Sequence, residues 1–197
     1  MFKNRTDAGI KLFEKNKDEF ESFNSEEIVV LGLNKGGIEI AKILSEKLNC
    51  GFDVIFVEKL KSENEKIEIG GVGQTRGSLV LNAKIVKELN VKEGFIQKQV
   101  LEKMKNIEKK EKAYRKEKLE VGLQNKNVII CSDGVITGTE MITACREVWN
   151  KEPKKVIAVS PVFSLEGYKK VEKEVDSVIK LIVDKELFGA SQYYESF

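Results

Sequence analysis

The residues best suited to chemistry in this chain lie in a small-residue turn between two predicted elements. The apolar, β-branched run at 128–131 predicts a buried strand, and Asp133 begins the turn that follows it. Thr137, Gly138 and Thr139 then stand where a helix over 138–150 is expected to begin. The first backbone N–H groups of a helix have no partner within the helix and attract anions. The turn therefore predicts a phosphate-binding site.

A second turn with chemical potential follows an earlier apolar run. Gly36 and Gly37 provide two positions where the backbone could approach a ligand closely, and Lys35 provides a cation for a diphosphate. The alternative is an ordinary strand-to-helix turn with a solvated lysine. We favour the ligand-binding interpretation, because two glycines at a helix start lower helix propensity without an obvious structural benefit.

The elements that must position these turns alternate between strand and helix. Apolar runs predict five strands, at 27–33, 52–57, 127–132, 155–161 and 177–183. Apolar residues at helical spacing predict helices at 38–48, 138–150 and 165–174. This rhythm is typical of an α/β fold with an open, mostly parallel sheet flanked by helices on both faces. In such sheets, ligands bind outside the carboxyl ends of the strands.

Two segments depart from that rhythm. Residues 61–82 alternate polar and apolar positions around several glycines, which predicts a flexible hairpin. Residues 96–118 carry dense charge of both signs at helical spacing, which predicts a solvated helix. Its apolar stripe, including Val100 and Ile107, could pack on the core or against another subunit, so a homodimer stays open. No composition-marked linker divides residues 1–197, and a single domain is expected.

Composition excludes several classes of function. With 34 basic and 32 acidic side chains the formal net charge is +2, which predicts neither nucleic acid nor membrane as a partner. The chain has no histidine, which removes imidazole as a general base or metal ligand. Cys50, Cys131 and Cys145 show no CxxC spacing, and buried thiols are expected. The amino terminus lacks a signal-peptide pattern, so a cytoplasmic, soluble protein is expected.

Taken in chain order, the motifs resemble the type I phosphoribosyltransferase-domain family, and more narrowly a bacterial family of such domains. The resemblance rests on the strand and turn at 128–141 and on six further segments, 2–9, 31–37, 57–60, 69–72, 114–115 and 193–197. It implies a phosphoribosyltransferase-like protein that binds phosphoribosyl diphosphate or a ribose 5-phosphate ligand. The implied activity is pentosyl transfer to an unknown acceptor, with Mg²⁺ as the cofactor and the 61–82 hairpin as a lid or a simple surface hairpin.

The resemblance also assigns roles to individual residues. The turn implied to hold the 5-phosphate consists of Thr137, Gly138, Thr139 and Glu140. The residues implied to meet the diphosphate are Lys35, Gly36, Gly37 and Lys59. Asp133 is the acid implied to bind the ribose hydroxyls and, indirectly, Mg²⁺. Ile136 stands where purine-specific relatives carry an acid, so a purine acceptor is not supported.

Three residues depart from the family pattern. Ser132 replaces one of two adjacent acids, Glu140 replaces a Thr at the end of the phosphate loop, and Glu58 stands where Arg is usual. Two unit charges 4 Å apart interact by roughly 4 kcal/mol at an effective dielectric constant of about 20, so Glu140 could oppose phosphate binding. Alternatively, Thr137 and Glu140 form a capping box that satisfies the helix start internally, which is the interpretation we favour.

These departures leave more than one function open. The first hypothesis is a phosphoribosyltransferase, and the second is a catalytically impaired nucleotide-binding or regulatory protein with the same fold. A third is a different phosphate-handling α/β enzyme. The aromatic residues near the carboxyl terminus could form a wall for a base or dock the terminus onto the core: Phe188, Tyr193, Tyr194 and Phe197.

Overall fold

The computed structural model describes residues 1–116 and 119–197. Its strands, in chain order, are β1 (Ile28–Leu33), β2 (Gly51–Ile55), β3 (Glu58–Lys61), β4 (Glu68–Val72), β5 (Val80–Leu81), β6 (Asn127–Cys131), β7 (Lys155–Ser164) and β8 (Ser177–Asp184). Its α-helices are α1 (Arg5–Lys15), α2 (Lys17–Glu21), α3 (Asn34–Leu48), α4 (Ala83–Glu88), α5 (Glu93–Arg115), α6 (Thr139–Trp149) and α7 (Leu165–Val171).

Five strands form one parallel sheet in the order β2-β1-β6-β7-β8. The strands β1 and β6 are neighbours, and Gly32 near the end of β1 pairs with Cys131 at the end of β6. The turns that follow these two strands therefore lie at the same edge of the sheet. This arrangement confirms the predicted α/β fold with an open parallel sheet.

Alternate strand residues pack against helices on opposite faces of the sheet. On one face, Val30 and Ile129 lie in a cluster with Leu12 of α1 and Leu44 of α3. On the other face, Val128 and its neighbours pack against α6 and α7. Because both faces are covered, the strands read as continuous apolar runs, which made them easy to predict. Among the described residues, no helix is both long and apolar enough to span a membrane.

The segment predicted as a flexible hairpin belongs to a second, three-stranded antiparallel sheet, β3-β4-β5. Leu60, Ile69 and Val72 of this sheet are buried against Ile96 and Val100 of α5. The hairpin is therefore a packed unit with its own apolar cluster, because α5 covers it. Any movement over the site would have to carry this unit rather than a loose loop. Its function as a lid stays a prediction.

The charged helix predicted at 96–118 is α5, which begins at Glu93 and ends at Arg115, whereas residues 117 and 118 lie outside the described part. Ile107 is fully buried and Val100 nearly so. The apolar stripe therefore packs within this chain, as one of the two alternatives predicted. The expected buried thiols are also present, since Cys131 and Cys145 are buried and Cys50 partly so.

Glu111 of α5 is a buried carboxyl, and burial raises its pKa to about 7, reinforced by Glu120 and opposed by Arg115. The folded state thus holds the proton more tightly than the unfolded state, so stability should fall as pH rises from about 4.5 to 7. We expect Glu111→Gln to raise Tm at pH 8 by about 2–4 °C, corresponding to about 1 kcal/mol in a chain of this length. At pH 4 the variant and the parent protein should unfold at similar temperatures. Thermal unfolding at both pH values measures this, and an equal gain at both would contradict it.

Candidate functional site

A cavity of about 110 Å³ lies at the carboxyl ends of β1 and β6. It is bounded by the turn after β1, by the turn from β6 to α6, and by one side chain of β3. The lining residues include Asn34, Gly36, Lys59, Ser132, Asp133, Ile136, Thr137, Gly138 and Glu140. The topology therefore brings the two turns singled out in the sequence together around one space.

The turn that leads into α6 presents unpaired backbone donors. Gly138 precedes the helix in a left-handed conformation, with φ of 80°. The Thr139 N–H donates to Thr137 Oγ1 at 3.3 Å. Within the described part of the chain, the backbone N–H groups of Glu140 and Met141 have no protein acceptor. Together with the helix dipole, these donors make the turn suitable for a phosphate group.

Gly138 is expected to be hard to replace, because its φ is costly for a residue with a side chain. We expect Gly138→Ala to destabilise the fold by about 1 kcal/mol, in line with the cost of the left-handed region for L-residues. An added Cβ would also lie 3.3 Å from the Gly167 carbonyl oxygen. The matched control is Gly94→Ala in α5, where an added Cβ meets nothing within 4 Å. Thermal unfolding compares the two, and an unchanged Tm for Gly138→Ala would contradict this conformation.

The glycine pair after β1 has a structural function that the sequence argument missed. A Cβ on Gly36 would lie 2.1 Å from Asp133 Oδ2, and a Cβ on Gly37 would lie 2.0 Å from the Cys131 carbonyl oxygen. The start of α3 thus packs directly against the end of β6, and neither position has room for a side chain. The two glycines therefore do have a structural benefit, contrary to the prediction from the sequence. Gly36 lines the cavity, whereas Lys35 is exposed and lies on a neighbouring groove.

Asp133, the predicted ribose-binding acid, is held from two sides. Arg5 Nε donates to Asp133 Oδ2 at 2.8 Å, and the Tyr194 hydroxyl donates to the Asp133 backbone carbonyl at 2.7 Å. The guanidinium of Arg5 also lies 4.0 Å from the ring centroid of Phe197. Residues near both ends of the chain therefore hold Asp133 in place. Sequence reasoning noted both terminal motifs but assigned Arg5 no function.

The terminal aromatic residues dock the carboxyl terminus rather than form a separate wall. Tyr194 is buried and packs against Phe2, whose N–H donates to the Tyr193 carbonyl oxygen at 2.7 Å. Phe188 is 84% exposed and takes no part in this cluster. Of the two alternatives for these residues, the structure therefore favours docking.

Glu140 does not form the capping box that the sequence favoured. Its side chain accepts from Asn34 Nδ2 at 2.8 Å and lies 3.1 Å from Lys59 Nζ. The predicted capping box is wrong because Gly138, not Thr137, precedes the helix, and because Lys59 offers an ion pair. Asn34, with a positive φ of 52°, also accepts from the Val57 N–H at 3.2 Å. Sequence reasoning missed Asn34, and an Asn at a sharp turn was its only signal.

A second carboxylate, from β4, reaches the turn at 137–139, which is the phosphate turn. Thr137 Oγ1 donates to Glu68 Oε1 at 2.9 Å, and Glu68 Oε2 lies 3.1 Å from Lys59 Nζ. Lys59 therefore bridges Glu68 and Glu140. Burial works against its charge, but the attraction of Glu140 and Glu68 raises the Lys59 pKa overall. For Glu68, burial is likewise outweighed by hydrogen bonds from Thr139 and Thr137 and by Lys59, and its pKa is lowered. The turn thus faces two carboxylates and one ammonium group.

The other two departures from the family pattern do not add charge to the cavity. Ser132 Oγ donates to the Gly134 carbonyl oxygen at 3.1 Å, so it serves the turn. Glu58 pairs with Lys110 and lies 3.9 Å from Lys103, both on α5, and it does not line the cavity. Glu58 therefore adds no charge to this cavity, and cations of α5 balance its own charge.

Comparisons with known proteins point to one family. The profile of the phosphoribosyl transferase domain family matches residues 72–196. Two curated Mycobacterium tuberculosis proteins, named provisionally as phosphoribosyl transferases, are each 23% identical over the full chain. The chain spans 44% of the length of these relatives.

Solved structures show the same likeness. A Thermus thermophilus protein has a TM-score of 0.78 and 26% identity, covering 98% of this chain and 90% of its own. A Staphylococcus aureus hypoxanthine phosphoribosyltransferase has a TM-score of 0.53 and 15% identity, covering 92% and 76% of the two chains. The second likeness concerns the fold alone.

Proposed function

Because the chain belongs to the phosphoribosyl transferase domain family, we propose that it binds phosphoribosyl diphosphate and transfers the ribose 5-phosphate group to an acceptor. One observation carries the proposal: the unpaired N–H groups at the start of α6 and the carboxylate of Asp133 border the same cavity. A sugar phosphate needs both kinds of partner. Backbone donors suit its phosphate, and a carboxylate suits its hydroxyl groups.

In the proposed complex, each turn has a separate task. The turn at 137–139 holds the 5-phosphate, and Asp133, positioned by Arg5, accepts hydrogen bonds from the ribose hydroxyls. The diphosphate then lies toward Gly36 and Lys59. The bond between the anomeric carbon and the diphosphate oxygen breaks, and the acceptor forms a new bond to that carbon. The protein contributes orientation and charge stabilisation rather than a covalent intermediate.

Mg²⁺, the cofactor implied by the resemblance, is not supported as an ion held by the protein alone. Within residues 1–116 and 119–197, no three His, Cys, Asp or Glu side chains are grouped to hold a metal ion. Asp133 shares one carboxylate oxygen with Arg5, and Ser132 replaces a second acid. Mg²⁺ is commonly bound through one or two carboxylates together with substrate phosphates. In this proposal it arrives with the diphosphate, and no step is assigned to it.

Calorimetry with phosphoribosyl diphosphate, with and without Mg²⁺, tests the proposal. We expect saturable binding of phosphoribosyl diphosphate. Ribose 5-phosphate should compete for the site, because both ligands use the same turn. Inorganic phosphate should compete more weakly, since it offers no hydroxyl groups to Asp133. No heat of binding at millimolar phosphoribosyl diphosphate, in either condition, would overturn the proposal.

The second candidate function is a ligand-binding or regulatory protein without catalysis. The network of Glu68, Lys59 and Glu140 favours it, because this network partly engages the phosphate turn before any ligand arrives. The two candidates differ in turnover. Release of diphosphate from phosphoribosyl diphosphate in the presence of an acceptor panel supports the transferase, whereas binding without release across the panel supports the regulator.

A further inference from the structure

A groove of about 570 Å³ adjoins the small cavity and shares three lining residues with it, Asn34, Lys59 and Glu140. Its other walls come from the turn after β1, from residues 56–61 and from α5. This volume falls in the range of about 300–1,000 Å³ that is typical of small-molecule sites, whereas the cavity alone is below it. A second ligand would thus lie next to the proposed sugar phosphate.

The groove concentrates positive charge in a chain that is otherwise nearly balanced. It is lined by two carboxylates, Glu58 and Glu140, and by five lysines, which are Lys35, Lys59, Lys61, Lys103 and Lys110. The chain as a whole has 34 basic and 32 acidic side chains. Because lysine ammonium groups are strong point charges, this local excess favours an anion.

The lysines of the groove differ in how they are held. Lys110 and Lys103 of α5 both pair with Glu58, which balances that carboxylate. In the part of the chain that the structure describes, Lys35 and Lys61 have no carboxylate partner within 4.0 Å. Lys103 has only a 3.9 Å contact with Glu58, which Lys110 pairs with more closely, so Lys103 is available to a ligand as well.

The groove also has an apolar surface. Phe56 and Val57 line it between β2 and β3. The ring of Phe56 meets Tyr114 of α5 edge to face, with centroids 6.1 Å apart and an interplanar angle of 70°. This contact limits rotation of the ring, so Phe56 offers a fixed face to a flat ligand.

We propose that this groove binds the acceptor, and that the acceptor is a small planar compound carrying two negative charges. The proposal rests on the proposed transferase function. The apolar face of Phe56 accommodates the body of the acceptor, and Lys61 and Lys103 pair with its negative charges. A neutral nucleobase would leave Lys61 without an anionic partner and Lys103 with only its long contact to Glu58. The two charges come from two carboxylates or from one phosphate monoester, and the experiment separates these sources.

The test uses three probes of similar size: benzene-1,3-dicarboxylate, phenyl phosphate and neutral benzamide. Binding is measured by calorimetry with saturating ribose 5-phosphate, which occupies the phosphate turn and keeps phenyl phosphate out of it. We expect at least one dianion to bind more tightly than benzamide by about tenfold or more, since ion pairs with lysine supplement the aromatic contact. Whichever dianion binds more tightly identifies the acidic group.

The variant Lys61→Gln with Lys103→Gln should weaken dianion binding about tenfold and leave benzamide and ribose 5-phosphate binding unchanged. The matched control is Lys109→Gln, also on α5 but outside the groove. Equal affinity for benzamide and both dianions, or dianion affinity that survives the double substitution, would overturn the proposal.

Failure of the transferase proposal is recognised separately. If the parent protein does not bind ribose 5-phosphate, the proposed function fails, and the acceptor assignment fails with it. Measurement of the three probes without ribose 5-phosphate then shows whether the groove itself selects dianions. If the groove prefers dianions and Lys61→Gln with Lys103→Gln removes that preference, the result supports the proposed groove chemistry. If the groove shows no preference, that chemistry is overturned as well.

Discussion

The variant Glu68→Gln with Glu140→Gln is expected to bind ribose 5-phosphate about 30- to 100-fold more tightly than the parent protein, a gain of about 2–3 kcal/mol. Glu68 accepts a hydrogen bond from Thr137 of the phosphate turn, and Glu140, at the start of α6, pairs with Lys59. A unit charge 4 Å from a phosphate costs about 4 kcal/mol at an effective dielectric constant of about 20, and the bridging cation offsets part of this.

Removing both carboxylates also releases Lys59 for the ligand. Its ammonium group is 3.1 Å from each carboxylate and its side chain is 42% exposed, so losing the pairs should cost little stability. Glutamine keeps the shape of each side chain and the hydrogen bond from Asn34 to position 140. Calorimetry at low salt measures the gain, which should shrink as ionic strength rises.

The control for this pair of substitutions is Glu14→Gln with Glu46→Gln, which removes the same charge from exposed positions on α1 and α3. It should leave the affinity within about twofold, because exposed charges beyond a Debye length of about 10 Å are screened. If the control and the test variant gain the same affinity for ribose 5-phosphate, the effect comes from net charge alone. If neither variant gains affinity, the turn does not hold the phosphate.

Asp133→Asn is expected to lower the affinity for phosphoribosyl diphosphate about 100-fold. Hydrogen bonds to a charged group contribute about 1.5–3 kcal/mol each, and two ribose hydroxyls are proposed to donate to this carboxylate. The substitution also leaves Arg5 without its 2.8 Å partner, although Glu39 lies 3.7 Å away and retains part of the pairing. Methyl phosphate, which has no hydroxyl groups, should bind the variant and the parent protein equally.

Arg5→Gln distinguishes contact from positioning. Arg5 acts through Asp133, so its substitution should reduce the affinity by less, about tenfold, and add little to Asp133→Asn in the double variant. Asp18→Asn on α2 is the matched exposed control. Thermal unfolding verifies that each variant folds. Full additivity of Arg5→Gln and Asp133→Asn would show that Arg5 contributes independently, and an unchanged affinity in Asp133→Asn would remove the ribose assignment.

The sequence alone determined the fold and the family. The five parallel strands read as apolar runs because helices cover both faces of the sheet, and the turn after β6 stood out because small residues interrupt such a run. Both signals are local, since they depend on residues a few positions apart. The family match to residues 72–196 confirms the resemblance drawn from these motifs.

What only the tertiary structure decided is which charges meet. Arg5 lies 128 positions from Asp133, and Glu140 lies 106 positions from Asn34, yet each pair is in hydrogen-bond contact. The charge balance of the site depends on such distant pairs, and no local pattern in the sequence encodes them. The same reason explains Gly37, whose need for a bare backbone arises from a carbonyl group on a strand far along the chain. Local apolar runs and helical spacing specified the scaffold, whereas the packing of remote segments specified its chemistry.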